Sequence, residues 1–98
     1  MHVLTVCYGH PADPAAFDAY YESTHAPLAE KIPGMASFTY RHCASLDGSK
    51  PQYYLLAELS FPSQDAMNAS LASAEAQAAT ADVPNFATGG FTIFVAHD

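Results

Sequence analysis

A histidine that stands two residues before a proline is the residue of this chain best suited to chemistry. The stretch AYYESTHAPLAEKIPG, residues 19–34, has helical spacing and carries His25 just ahead of Pro27. Because imidazole titrates near neutral pH, His25 could act as a general acid or base. Proline lacks the N–H that would bond the carbonyl of Ser23, so we expect a kink or break near His25. In the alternative interpretation, the imidazole only binds a carbonyl freed by that kink.

Tyrosines and a second histidine could complete a small-molecule pocket around His25. Tyr40 falls on the helix-facing side of the second predicted strand, where its hydroxyl could stabilise negative charge on a carbonyl oxygen. Each of these side chains also has a structural interpretation, in which it only packs in the core. The predicted catalytic residues are His25 and Tyr40, and the predicted substrate-binding residues are Tyr21, His42 and Tyr53.

The spacing of histidines and cysteines argues against a metal site. No HxxxH pattern connects the five histidines, which are His2, His10, His25, His42 and His97. Cys7 and Cys43 form no CxxC pair and fall in predicted strands that are not neighbours, so we expect free thiols. The chain also lacks a glycine-rich phosphate loop and a dinucleotide fingerprint. We therefore expect neither a metal nor another cofactor.

Charge and composition limit the partners. A net charge of −7 opposes binding to nucleic acid and to anionic membranes. Half of the 98 residues are apolar and only 13% are charged, which favours association with a second copy. The N-terminal stretch lacks the basic and apolar regions of a signal peptide, so we expect a cytoplasmic protein without a membrane segment.

Hydrophobic periodicity predicts four strands and two helices in the order βαββαβ. The predicted strands cover residues 2–9, 35–45, 52–61 and 89–97. Asp13 is the expected N-cap of the first helix, with Pro14 at its first position. Ser63 is the expected N-cap of a single second helix. The apolar stripe predicted for that second helix contains Met67, Leu71, Ala74 and Ala78.

The second and third strands are predicted to form a hairpin. With Asp47 and Gly48 as the central turn residues, opposed residue numbers sum to 95, so that His42 faces Tyr53. The same register puts Tyr54 on the opposite sheet face.

These elements predict a single domain spanning residues 1–98 with a ferredoxin-like α+β fold. Right-handed crossovers give an antiparallel four-stranded sheet with both helices on one face. The other face is left uncovered and partly apolar. We therefore expect a homodimer that forms through the open sheet face.

The segment FDAYYESTHAPLAEKIPG, residues 17–34, resembles the characteristic segment of the EthD family of dimeric α/β-barrel proteins. The later stretches YYLLAELSFPSQDAM and DVPNF are similar to that family's third strand with its following helix and to its pre-strand turn. The resemblance implies a dimer whose two sheets form an α/β barrel. Relatives include cofactor-free isomerases that act on rings, but fold alone does not fix function.

The leading hypothesis is a cofactor-independent enzyme of the isomerase or lyase type that moves a proton on a small apolar ring or lactone-like compound. His25 would move the proton and Tyr40 would stabilise the developing negative charge. A second hypothesis is a non-catalytic accessory or metabolite-binding protein for a partner oxidase. A third is a monooxygenase on the same barrel, either cofactor-free or haem-dependent with His25 as the axial ligand.

Overall fold

The computed structural model describes residues 1–98 and contains a four-stranded antiparallel sheet with helices on one face. The strands are β1 (His2–Tyr8), β2 (Ser37–His42), β3 (Leu55–Phe61) and β4 (Phe91–His97). They are arranged in the order β2-β3-β1-β4, which is the ferredoxin-like topology expected from the sequence. That prediction is confirmed. The sheet is open, so β2 and β4 each have a free edge.

Two helical crossovers connect the strands, and both begin at the predicted caps. The helical segments are α1 (Pro14–Tyr20), a π-helical turn (Tyr21–His25), α2 (Ala26–Glu30), α3 (Gln64–Leu71), α4 (Ala74–Asp82) and a 3₁₀ turn (Val83–Asn85). The side chain of Asp13 accepts a hydrogen bond from Ala16 N–H at 3.1 Å. Ser63 caps α3 in the same way through Ala66 N–H.

The sequence predicted a kink or a break near His25. The helix instead continues through a π-helical turn at this point. The N–H of Ala26 donates to the carbonyl of Tyr21, five residues earlier. This wider turn accommodates the missing N–H of Pro27 without ending the helix, and such π-turns are frequent at functional sites. Because the turn holds an extra residue, His25 lies on the buried face of the helix and not at its edge.

The second helix was expected to be continuous, and that prediction is wrong. The helix stops after Leu71, and Ser73 caps a new helix by accepting a hydrogen bond from Ala76 N–H at 3.1 Å. Serine favours such caps because its hydroxyl satisfies a free N–H of the first turn. The interruption rotates the later residues, so Ala76 and Ala79 are buried in place of Ala74 and Ala78.

The hairpin register differs from the prediction by two residues. Opposed residue numbers in β2 and β3 sum to 97, so His42 faces Leu55 and Tyr40 faces Ala57. The hydrogen-bonded turn runs from Ser45 to Gly48, one residue earlier than expected. A shift of two leaves every strand residue on its predicted face, because side chains alternate with period two.

Two tyrosines precede β3 and lie outside the strand. Tyr54 was predicted on the open face, but its ring packs edge-on against Phe17 of α1 with the centroids 5.3 Å apart. Its hydroxyl donates to Asp18 at 2.8 Å. Tyr54 therefore belongs to the contact between α1 and the sheet.

The core lies between the sheet and the helices. One buried cluster contains Val6, Tyr8, Phe17, Tyr21, Ala26, Leu55, Ala57, Val83 and Phe86. A second contains Ile32, Leu59, Phe61, Met67, Ala76 and Ala79. The backbone after β1 passes so close to the segment before β4 that a Cβ on Gly9 would clash with the carbonyl of Gly89. None of the helices combines the length and the apolar character needed to cross a membrane.

Candidate functional site

A cavity of about 90 Å³ lies between the helices and the sheet. Fifteen of its 17 lining residues are hydrophobic, and the two others are His25 and Thr80. Two tyrosines of the core, Tyr8 and Tyr21, are also part of its wall. An apolar hollow with a few polar groups is typical of small-molecule sites.

The cavity opens toward β4. Phe91 and Ile93 of this strand line the hollow, although each is 48% exposed. Leu71 at the end of α3 lines it as well and is also partly exposed. A ligand could therefore enter between the edge strand and α3.

The imidazole of His25 is held against the carboxylate of Asp82. Nδ1 of His25 lies 3.0 Å from Oδ2 of Asp82, and both residues are buried. The π-helical turn positions His25, whereas Asp82 is the last residue of α4. The ring of Phe86 covers the imidazole, with the centroids 4.5 Å apart.

Asp82 has three hydrogen-bond donors. Oδ2 faces His25, while Oδ1 accepts from the hydroxyl of Tyr20 at 2.5 Å and from Nδ2 of Asn85 at 3.0 Å. Burial raises the pKa of Asp82, but the donors Tyr20, Asn85 and His25 outweigh burial and bring that pKa below its ordinary value. Asp82 is therefore ionised at neutral pH.

His25 is neutral at the same pH. Burial lowers the pKa of its imidazole below the ordinary value, although the negative charge of Asp82 opposes this shift. An ionised carboxylate can only accept hydrogen bonds, so the single ring proton must lie on Nδ1. Nε2 then carries a lone pair, makes no hydrogen bond within the chain, and belongs to a ring that lines the cavity. This arrangement can accept a proton from a bound molecule.

Tyr21 supplies a buried hydroxyl close to that of Tyr8. Its side chain is 1% exposed, and its hydroxyl makes no hydrogen bond of normal length, although burial and the nearby hydroxyl of Tyr8 both raise its pKa. Its ring lies 5.1 Å from that of His25. Burial raises the pKa of Tyr21, so the hydroxyl keeps its proton and remains able to donate. A buried polar group left unpaired is costly, which makes it a candidate for contact with a ligand.

Only two of the five predicted site residues, His25 and Tyr21, line the cavity. Tyr40 packs against Tyr21 with the ring centroids 4.8 Å apart, but it is not part of the wall. His42 is exposed and contacts Asp18 through Nε2 at 2.9 Å. Tyr53 precedes β3, and its hydroxyl accepts a long hydrogen bond of 3.5 Å from the side-chain Nε2 of Gln52.

Sequence reasoning missed Asp82 and Asn85 and gave Tyr20 little weight. The stretch DVPNF predicted a turn, and that turn is present as the 3₁₀ segment Val83–Asn85. One weak signal for this site was present in the sequence. Asp82 ends an alanine-rich helix, and a carboxylate that is buried there needs a hydrogen-bond partner.

The residues offer little support for a bound metal or haem. No group of three or more His, Cys, Asp or Glu side chains is arranged to bind a metal ion. Cys7 and Cys43 are free thiols. A haem with His25 as axial ligand does not fit a cavity of about 90 Å³ unless the helices part from the sheet.

The chain is similar to known proteins over most of its length. The family described as "EthD domain" matches residues 9–90. An uncharacterised 11.0 kDa protein of the thcB-thcC intergenic region of Rhodococcus erythropolis is 50% identical over 93 residues, which cover 95% of this chain and 90% of the relative.

Solved structures match over the whole chain. An EthD family protein from Bacillus halodurans superposes with a TM-score of 0.93 at 28% identity, covering 100% of this chain and 98% of the other. A dimeric ferredoxin-like protein of unknown function from Jannaschia superposes with a TM-score of 0.71 at 16% identity, covering 100% of both chains. The second likeness concerns the fold alone.

Proposed function

This chain belongs to the EthD family, and from that premise we propose that it is a homodimeric enzyme that moves a proton on a small, mostly apolar carbonyl compound without a cofactor. The observation that carries the proposal is the pair formed by His25 and Asp82 at the wall of an apolar cavity. A neutral imidazole whose Nε2 is free is the protonation state that a general base needs.

In the proposed reaction, Nε2 of His25 takes a proton from a carbon next to a carbonyl group of the ligand. The electron pair of the broken C–H bond moves toward the carbonyl oxygen and forms an enolate. His25 becomes an imidazolium that Asp82 stabilises. In a ligand with a carbon–carbon double bond next to the enolate, Nε2, whose proton exchanges with the solvent, then delivers a proton to the far carbon of that double bond, which gives an isomer and restores the neutral base.

The hydroxyl of Tyr21 is the group best suited to stabilise the enolate oxygen. The residue lines the same cavity as His25, and its hydroxyl, which the present packing shields, makes no hydrogen bond of normal length in the chain. A donor held in an apolar site contributes more than one in water, because no solvent competes for the charge. The role that the sequence suggested for Tyr40 is thus assigned to Tyr21 in this proposal.

The volume of the cavity limits the size of the ligand. An engineered protein cavity of about 150 Å³ is sufficient for benzene. The hollow of about 90 Å³ therefore suits a small ring such as a five-membered lactone or ketone, with part of the ligand reaching the half-exposed Phe91 and Ile93.

A second copy of the chain is the proposed partner for the exposed apolar residues of β4. Every residue of this strand is exposed, and its large apolar side chains lie on both sheet faces. Ile93 projects on the helix-facing side with Val6, whereas Phe94 projects on the open side with Thr5. A strand of this kind is a liability unless another chain covers it. The dimeric relative from Jannaschia supports this part of the proposal.

The proposal is tested by hydrogen–deuterium exchange on a ligand. The protein is incubated in D₂O with small lactones and cyclic ketones, and deuterium at carbon is measured by NMR. Exchange above the buffer rate is expected, and it should be lost in His25→Gln. His10→Gln is the matched control, because His10 lies outside the cavity and contacts the carbonyl of Pro51.

The rival function is an accessory protein that binds a metabolite without converting it. The small apolar cavity is compatible with that function as well. It predicts that these compounds shift the NMR signals of Tyr21 and His25 but gain no deuterium. Binding without exchange would therefore contradict the enzyme hypothesis.

A further inference from the structure

The carboxylate of Asp82 is approached from two sides of the protein. On one side Oδ2 bonds to His25, which lines the cavity described above. On the other side Oδ1 accepts hydrogen bonds from Tyr20 and Asn85. Neither of these two donors lines that cavity, so they act on the imidazole only through Asp82.

Tyr20 and Asn85 instead line a second pocket of about 240 Å³ between α1 and the segment that precedes β4. This pocket is large enough for several water molecules. The ring of Phe86 is part of its wall and also stacks on Tyr20, with the centroids 5.6 Å apart. A hydrogen-bonded chain from Tyr20 through Asp82 to His25 thus joins the two hollows.

We propose that Tyr20 is a positioning residue that acts on His25 through Asp82: its hydroxyl, together with the amide of Asn85, shares the negative charge of the Asp82 carboxylate and so keeps Nε2 of His25 free of a proton. The inference rests on the proposed function for its catalytic meaning. The geometry that carries it is independent of any substrate, because three donors converge on one buried carboxylate. When one of the two donors to Oδ1 is removed, the other still holds the carboxylate beside the imidazole, so the substitution changes the charge on Asp82 and not its position.

The direction of the effect follows from the charges that face His25. Asp82 of α4 is the only charged group in contact with the ring, while Tyr21 of the π-helical turn and Tyr8 of β1 stay neutral because burial raises their pKa values. The hydroxyl of Tyr20 donates to Asp82 and so disperses its negative charge. Removing that donor concentrates the charge on the carboxylate, which then favours the imidazolium form of His25.

The test is an NMR titration of His25 in the intact protein and in Tyr20→Phe. Loss of the hydroxyl should raise the pKa of His25 by on the order of half a unit to one unit. Tyr54→Phe is the matched control, since Tyr54 also donates its hydroxyl to an aspartate, Asp18, and neither of these residues lines the cavity. That control should leave the pKa of His25 unchanged.

Asn85→Ala removes the other donor to Oδ1 and gives a second reading if Tyr20→Phe fails to fold. A rise of the pKa in the same direction supports the positioning role, and an unchanged or lower pKa in a folded variant overturns it. The titration needs no substrate. A raised pKa together with no deuterium exchange in the wild type would therefore reject the enzyme function but keep the positioning role, and the reverse result would reject only the latter.

Discussion

Nδ1 of His25 lies 3.0 Å from Oδ2 of Asp82, although 57 positions separate these residues in the chain. The contact joins the π-helical turn of the first crossover to the end of the second. It also gives the candidate base an orientation, a tautomer and a counter-charge at once. The predictions below follow from this pair and from the surfaces around it.

Asp82→Asn should weaken both proton transfer and folding. The amide carries no charge, so the imidazolium formed during the reaction loses its stabilising partner. We expect the exchange rate to fall on the order of 10- to 1000-fold. The free energy of unfolding should fall by about 1–3 kcal/mol, because a buried charged hydrogen bond is lost. Asp65→Asn, at an exposed residue of α3, is the control and should change the exchange rate little.

Tyr21→Phe should separate stability from activity. The substitution removes a buried hydroxyl that makes no hydrogen bond of normal length, so the melting temperature should stay the same or rise. The ring stacking on Phe17 is kept, since only the oxygen is lost. Deuterium exchange should nevertheless drop, because the enolate loses its donor. A variant that is clearly less stable, or as active as the wild type, would contradict the role given to Tyr21.

Stability should decrease on acidification, and His25 should contribute to that decrease. Its folded-state pKa lies below the ordinary value of about 6.5, so the unfolded chain binds the proton first as the pH falls. Between about pH 6.5 and the lower folded pKa, the unfolded state holds more protons and gains population. The stability contribution is thus fully present above about pH 6.5 and is lost through that window.

The measurement is urea unfolding of the wild type and of His25→Gln between pH 5 and 7.5, at roughly half-unit steps. The variant should show a shallower loss of stability in this range. Asp82 contributes in the same direction only at lower pH, since its folded pKa lies below the ordinary carboxylate value. If the free energy of unfolding fell equally steeply with pH in the two proteins, the pKa of the His25 imidazole would not be lowered by folding.

Phe94→Glu should disrupt the proposed homodimer. Phe94 is 49% exposed on the open face of β4, where a carboxylate would meet the partner's apolar surface. Leu46→Glu is the matched control, because Leu46 is a fully exposed residue of the loop between β2 and β3. Sedimentation equilibrium should give a dimer for the wild type and for the control but a monomer for Phe94→Glu. A dimer of unchanged affinity in Phe94→Glu would place the interface elsewhere.

The fold could be predicted from the sequence because its signals are local. Alternating strands, the caps Asp13 and Ser63, and the order of elements are all encoded within a few residues. The register of β2 and β3 was wrong by two because the connection of 12 residues between His42 and Leu55 is longer than a tight hairpin, so its Asp-Gly pair did not determine the pairing.

The candidate site was predicted only in part. His25 was identified because an ionisable side chain two residues before a proline is visible in the sequence itself. The contact with Asp82 depends on tertiary packing between two crossovers, and no short-range pattern encodes it. The rings of Tyr40 and Tyr21 are in contact, but only Tyr21, the first residue of the π-helical turn, lines the cavity, and sequence spacing does not reveal such a turn.

The contact with Asp82 predicts that His25 is a neutral base with its proton on Nδ1 and with Nε2 unprotonated. Long-range ¹H–¹⁵N correlation NMR of the imidazole at about pH 7.5 tests this claim directly, since the two nitrogens differ in shift with tautomer and charge. We predict a protonated Nδ1 and an unprotonated Nε2 for His25, with the pattern weakened in Asp82→Asn. A proton on Nε2, or an imidazolium at that pH, would contradict the account.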